Sequence, residues 1–104
     1  MSDPRFDDDG FLRDPSSWTV DDARQIADRE GLTLTAQHWS LIDLARDYYQ
    51  RYDQAPNMRP LVKIVRAAHG EAIGSSIGLM GLFTDNPAKQ LSKIAGLPKP
   101  SQCI

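Results

Sequence analysis

The sequence predicts a mainly α-helical fold of the α+β class: a small orthogonal helical bundle with a helix-turn-helix-like core, an N-terminal β-hairpin and an extended C-terminal arm. Apolar residues recur at intervals of three and four over several segments, which is the period of an amphipathic helix. An Asp-Gly pair near the N-terminus indicates the hairpin, and two closely spaced prolines indicate the arm. The 104 residues suffice for one domain, which we place at 1–96, with a flexible arm at 97–104.

The hairpin is predicted over residues 5–12. Asp9-Gly10 lies there between short apolar pieces, and this pair favours a tight hairpin because glycine accepts a positive φ angle and aspartate tolerates a neighbouring one. A turn is expected at 14–17.

Two helices follow the hairpin. Thr19 is the expected N-cap of the first, and Gly31 is the expected stop. The second helix begins after Thr35 and is the clearest in the chain. Its apolar residues are Trp39, Ile42, Ala45, Tyr49 and Tyr52.

Three shorter helices complete the prediction. A third runs from the cap Asn57 to about residue 68, and a short apolar helix covers about 77–83. The fifth has Pro87 at its first position, covers 88–95 and ends at Gly96.

Composition and charge exclude several classes of protein. With 40% hydrophobic and 25% charged residues, the chain has an ordinary soluble composition. No apolar run approaches the roughly 20 residues of a membrane helix, and the acidic N-terminus lacks the regions of a secretory signal. We therefore expect a cytoplasmic protein without membrane insertion. A net charge of −2 gives no general attraction to nucleic acid.

Cys103, the one cysteine of the sequence, is the sharpest chemical feature. It excludes an internal disulfide, and with His38 and His69 it falls short of a four-ligand zinc site, so no metal is expected. A lone cysteine is often a small buried residue, whereas a position after Pro98-Lys99-Pro100 is hard to bury. Both a buried thiol and an exposed functional thiol, including a redox sensor, remain open. Nothing nearby activates the thiol strongly, which suits a carrier that a partner activates.

Two groups of basic residues are candidates for binding. Arg59, Lys63 and Arg66 share one face of the third helix, which would be the recognition helix of a DNA-binding module. A solvated polar face is the alternative, and the acidic overall charge favours it. The second group, Lys89, Lys93 and Lys99, makes the C-terminal region basic and is a candidate docking surface for acidic partners or for an anionic sulfur group. For Lys93, compensation of the helix dipole is the alternative.

Several segments resemble the DsrC/TusE family of sulfur-relay proteins, and together they cover nearly the whole chain. The C-terminal segments are Pro87-Ala88-Lys89-Gln90, residues 93–100 and Cys103-Ile104. The N-terminal segments are Asp9-Gly10-Phe11-Leu12, Asp14-Pro15, Trp18, Leu34-Thr35, His38-Trp39, Arg46-Asp47-Tyr48-Tyr49 and Arg59-Pro60-Leu61-Val62-Lys63.

This resemblance implies a sulfurtransferase that carries sulfane sulfur as a transient persulfide on Cys103, without a bound cofactor. It implies an upstream donor complex of the TusBCD or DsrEFH type and a downstream acceptor, such as the tRNA 2-thiouridylase that acts on the wobble uridine. A DsrC-like paralogue of dissimilatory sulfur metabolism is the alternative, and a helix-turn-helix regulatory module is another.

The chain departs from the family pattern at three places. Ser92 occupies the position of the second cysteine of DsrC proper, so the two-cysteine cycle of sulfite reduction is excluded for this chain alone. Gln102 replaces the usual glycine before the penultimate cysteine, which makes the tip of the arm bulkier. Residues 84–86 replace a turn that usually contains proline and glycine.

Overall fold

The computed structural model describes residues 3–101 of the chain. Over that range the chain forms a 3-10 helix and five α-helices, and the mainly helical prediction is confirmed. The 3-10 helix is Pro15–Ser17, and the α-helices are α1 (Val20–Arg29), α2 (Ala36–Tyr52), α3 (Met58–His69), α4 (Ser76–Met80) and α5 (Pro87–Ile94). None of these helices combines the length and hydropathy needed to cross a membrane.

The predicted N-terminal β-hairpin is wrong, because the described residues form no strand. Phe6 and Leu12 make a single isolated antiparallel bridge. The side chain of Asp7 accepts hydrogen bonds from the backbone N–H groups of Asp9 and Phe11, each at 2.9 Å. The carboxylate thereby takes the Phe11 N–H, which a β-ladder would use, so the segment closes as a tight turn and the pairing does not extend.

The start of α1 shows why the chain turns into a helix at this point. The Thr19 hydroxyl accepts from the Asp22 N–H at 3.2 Å, and the Asp22 carboxylate accepts from the Thr19 N–H at 2.9 Å. This reciprocal capping box confirms Thr19 as the N-cap. Arg5 donates two hydrogen bonds to the same buried carboxylate, at 2.8 and 3.0 Å, and thereby joins the N-terminal turn to α1. The Arg5 hydrogen bond is the main cause that lowers the pKa of Asp22, which burial opposes.

His38 joins the first turn of α2 to the loop that precedes α5. Its buried ring accepts a hydrogen bond from the Thr35 N–H at Nδ1, over 3.0 Å, and donates from Nε2 to the carbonyl oxygen of Leu82. The ring also contacts Phe83 edge-on, with the centroids 5.3 Å apart. This histidine is therefore a buried structural residue at a helix end.

The core is built around α5, which contacts α1, α2 and α3. Its own buried apolar residues meet those of the three surrounding helices. They include Leu91 and Ile94 of α5, Ile26 of α1, Leu41 and Ile42 of α2, and Leu61 and Val65 of α3. Because α5 is enclosed in this way, the position at which the chain leaves its C-terminus is fixed by the whole domain.

Candidate functional site

The chain leaves α5 through a tight glycine turn. Gly96 has a φ of +72°, and the N–H of Leu97 donates to the carbonyl oxygen of Ser92 at 2.9 Å, as in a Schellman motif. A Cβ atom at position 96 would lie 2.3 Å from Cδ1 of Trp18. Two independent constraints, the backbone angle and the close approach of an indole, therefore require glycine where the sequence predicted a helix stop.

Trp18 and Arg46 hold the last carbonyl groups of α5. The Trp18 indole Nε1 donates to the Ile94 carbonyl oxygen at 2.9 Å, and the Arg46 guanidinium donates to that of Ala95 at 2.6 Å. The guanidinium lies 4.2 Å from the centre of the indole ring, and burial lowers the pKa of Arg46. These donors satisfy carbonyl groups that a helix end leaves unpaired. We call Trp18, Arg46, Gly96 and Leu97 the arm root.

Beyond the root, the predicted arm continues against the surface of the domain. Leu97 is fully buried and Pro100 is also buried, while Pro98 and Lys99 are exposed. Asn57 Nδ2 donates to the hydroxyl of Ser101 at 3.1 Å. Packed contacts thus extend past position 96, where the sequence placed the end of the domain. The domain boundary and the mobility of the arm stay predictions, and residues 102–104, including Cys103, lie outside the described residues.

A groove opens beside the last described residues of the arm, with a volume of about 570 Å³. We call it the outlet groove. Both α3 and α5 begin at this groove, and helix N-termini favour negative charge. Its lining residues are Asn57, Met58, Arg59, Pro60, Asn86, Ala88 and Pro100. Among these, Arg59 supplies a cation that the sequence assigned only to a DNA-binding face.

Two of the three predicted docking lysines lie near acidic residues of the same chain. Lys93 Nζ lies 3.6 Å from the Glu30 carboxylate, and its side chain is only 13% exposed. Lys99 Nζ lies 3.9 Å from the Asp9 carboxylate. Lys89 is partly exposed on α5. The basic C-terminal region is therefore partly neutralised within the molecule, and the docking role of these lysines stays a prediction.

The basic face predicted on α3 is also divided. Arg59 lines the outlet groove and Lys63 is exposed, whereas the Arg66 guanidinium donates to the carbonyl oxygen of Gly74 at 3.0 Å. Arg66 therefore holds the α3–α4 connection, which separates its role from that of the other two basic residues.

Ser92 lies in the buried face of α5, one turn after Ala88. It is 0% exposed, and its hydroxyl has no hydrogen-bond partner among the residues that the structure describes. A buried hydroxyl without a partner is unfavourable. A thiol, which is a weaker hydrogen-bonding group, would suit this apolar position better.

Comparison with known proteins identifies the family. The family described as DsrC like protein matches residues 2–104. This chain belongs to the DsrC-like family. The sulfurtransferase TusE homologue of Haemophilus influenzae is 45% identical over 98 residues, which cover 94% of this chain and 90% of that protein.

Solved DsrC structures share the fold. The NMR structure of Allochromatium vinosum DsrC matches with a TM-score of 0.86 and 39% identity, covering 95% of this chain and 88% of that one. The oxidised γ-subunit of the dissimilatory sulfite reductase (DsrC) from Archaeoglobus fulgidus matches with a TM-score of 0.82 and 36% identity, covering 96% and 91%. The resemblance found in the sequence is confirmed.

Within this DsrC-like fold, sequence reasoning missed the part that Trp18 and Arg46 play in the arm root. Trp18 and Arg46 both fall in segments that resemble the family, but helical spacing gave neither a role at the end of α5. The sequence does contain one indication of this role. Trp18 lies just before the N-cap Thr19, so it is outside α1 and cannot belong to the apolar face of that helix. Local patterns cannot show its contact with a carbonyl group 76 residues further along the chain.

Proposed function

We propose that this DsrC-like protein is a sulfurtransferase that carries sulfane sulfur as a persulfide on Cys103. The observation that carries the proposal is the arm root, which fixes where the C-terminal segment leaves the domain and directs it along the outlet groove. A protein in the family of curated TusE sulfurtransferases that holds its arm in this way is suited to present one thiol repeatedly from the same place.

The transfer step needs no oxidant. The Cys103 thiolate attacks the outer sulfur of a persulfide R–S–SH on a donor protein. A new S–S bond forms between Cys103 and that sulfur, the donor S–S bond breaks, and the donor leaves as the thiolate R–S⁻. The proton stays on the transferred sulfur, so charge and atoms balance. The reverse reaction with an acceptor thiolate delivers the sulfur.

The surroundings of the outlet groove support an anionic sulfur group. The N-termini of α3 and α5 and the side chain of Arg59 all contribute positive charge beside the path of the arm. Thiolates are favoured in such electropositive, partly exposed places. This step needs only one cysteine of the carrier, and the sequence has one, because position 92 is serine.

We place this carrier in a cytoplasmic relay of the TusE type. An upstream persulfide donor loads Cys103, and the sulfur passes towards a tRNA 2-thiouridylase. The curated relatives named TusE favour this assignment over a role in dissimilatory sulfite reduction, and the absence of a second cysteine from the sequence favours it as well. A persulfide donor and a sulfur acceptor are therefore its partners.

Intact-mass measurement tests the proposal. The reduced protein is incubated with a sulfane-sulfur donor and compared with the Cys103→Ser variant, before and after reductant. We expect the wild type alone to gain the mass of a sulfur atom and to lose it on reduction. Ser101→Ala is the matched control, since it changes a neighbouring hydroxyl and leaves the thiol in place. Absence of any adduct on a thiol shown to be free by alkylation would contradict the proposal.

A further inference from the structure

An exposed apolar face on α4 is not explained by the fold. Ile77 is 84% exposed and Met80 is 62% exposed. Leu79 of the same helix is fully buried and anchors it to the core. Ser75 caps the helix by accepting a hydrogen bond from the Gly78 N–H at 2.9 Å. Both side chains are therefore held outward on a short, anchored helix.

This face is continuous with the place where the arm ends its described path. The residues that line a second groove, of about 550 Å³, include Met80, Ser76, Met58 and Asn86. Met58 and Asn86 also line the outlet groove. The second groove thus adjoins the outlet groove and reaches Met80 of α4. Ile77 lies three residues before Met80, on the same side of that helix. We call the surface formed by Ile77, Met80 and Met58 the α4 face.

The length of the arm limits where a reaction partner can lie. Cys103 is two residues past Ser101, so their Cα atoms are at most about 7 Å apart. Even if every contact beyond the buried Leu97 opened, six residues would span only about 20 Å. A protein that brings a sulfur atom to this thiol must therefore come within about 20 Å of Leu97, in the neighbourhood of the outlet groove.

We propose that the α4 face, formed by Ile77, Met80 and Met58, is the docking surface for the protein that donates sulfur to Cys103. This inference rests on the proposed carrier function. Exposed apolar side chains that are surrounded by polar residues are typical of the centre of a protein interface.

The charges around the face define the chemistry of the donor. Arg59 and Lys63 are exposed residues of α3, and Asp85 lines the second groove. The donor that fits has apolar side chains around the opening of its persulfide site. It carries acidic residues where it meets α3 and a neutral or basic residue where it meets Asp85. Opposite charges at the edge of an interface mainly raise the association rate, and salt weakens this effect.

The test separates docking from thiol chemistry. The double variant Ile77→Ser/Met80→Gln is loaded in one reaction by inorganic polysulfide and in another by a persulfidated donor complex of the relay. Val20→Ser, which changes an exposed apolar residue at the start of α1, is the matched control. Circular dichroism and thermal melting establish that all variants are folded.

We expect polysulfide to load the double variant and Val20→Ser at the wild-type rate. Protein-to-protein loading of the double variant should fall about tenfold or more at donor concentrations below saturation, as for loss of a central interface contact. The Val20→Ser variant should match the wild type. Arg59→Glu should slow loading at low salt and lose that effect at high salt.

Three outcomes would overturn the inference. Wild-type transfer rates in the double variant would remove the docking role and leave the carrier function intact. A wild-type dimer that becomes monomeric in the double variant would assign the face to a second copy of this chain. Failure of both polysulfide and the donor complex to load the wild type would overturn the carrier function, and the docking role with it.

Discussion

The two ends of the described arm are held by different kinds of contact. At the arm root, Gly96 lies against the Trp18 indole and Leu97 is buried, while Trp18 and Arg46 donate to the last carbonyl groups of α5. At the outlet, Ser101 accepts one exposed hydrogen bond and Lys99 approaches Asp9 at 3.9 Å. Exposed contacts of this kind contribute about 1 kcal/mol or less each. Pro100, between these two ends, is also buried. The polar contacts at the root are therefore expected to contribute more to the free energy of unfolding than those at the outlet.

The substitution Gly96→Ala is the strongest test of the difference between the arm root and the outlet. The added methyl group would overlap Trp18, and the alanine residue would have to adopt a positive φ. We therefore expect a loss of about 3–4 kcal/mol in the free energy of unfolding. Gly31→Ala is the matched control, because Gly31 has a φ of +70° but no atom within 4 Å of an added Cβ. It should lose only about 1 kcal/mol. Equal losses in urea denaturation would show that the indole contact contributes nothing.

The next largest effect is expected for Arg46→Lys. Lysine keeps the charge but cannot bond the Ala95 carbonyl group and stack on Trp18 with the same planar group. We expect a loss of about 2 kcal/mol, measured by urea denaturation. Arg51→Lys, which changes an exposed arginine on the same helix, should alter stability by less than about 0.5 kcal/mol. A root that tolerates lysine would refute the importance of the planar group.

Acid unfolding tests the N-terminal turn, whose Asp9 carboxylate lies near Lys99 of the arm. Because Arg5 lowers the pKa of Asp22 in the folded state, this pair stabilises the protein above the unfolded pKa of about 4. That contribution is lost as the pH falls through the lower folded pKa. Between pH 5 and pH 2, Arg5→Gln should therefore lose less stability than the wild type. Arg13→Gln should follow the wild-type curve, and identical curves for all three proteins would contradict the account.

The smallest effect is expected at the outlet. Lys99→Ala removes one exposed, long ion pair and should change the free energy of unfolding by less than about 0.5 kcal/mol. A loss as large as that of Arg46→Lys, in the same denaturation series, would mean that the two ends of the arm do not differ.

Much of the fold could be predicted because its signals are local. Thr19 and Gly96 mark a helix start and a helix stop by their own chemistry, and both positions are confirmed. The hairpin prediction failed because the side chain of Asp7 competes for backbone donors. The residue types alone do not show which acceptor those donors will bind. Tyr52 continued an apolar stripe but is exposed, since it is the last residue of α2 and no element covers it.

The site was predicted only in part. Cys103 was singled out from its type and position, and its role stays a prediction. The arm root and the α4 face depend on contacts between distant segments, such as Trp18 with Ile94, and no local pattern encodes them. Lys93 and Lys99 were predicted as docking groups, and the sequence does not show that Glu30 and Asp9 lie beside them.

The central claim is that Cys103 both receives sulfur and passes it on. The most direct measurement loads the protein with isotopically labelled sulfane sulfur, removes the donor and follows the intact masses of carrier and added acceptor protein. The account predicts that label leaves Cys103 and appears in equal amount on the acceptor. Label that stays on Cys103, or that escapes only as free sulfide, would contradict it.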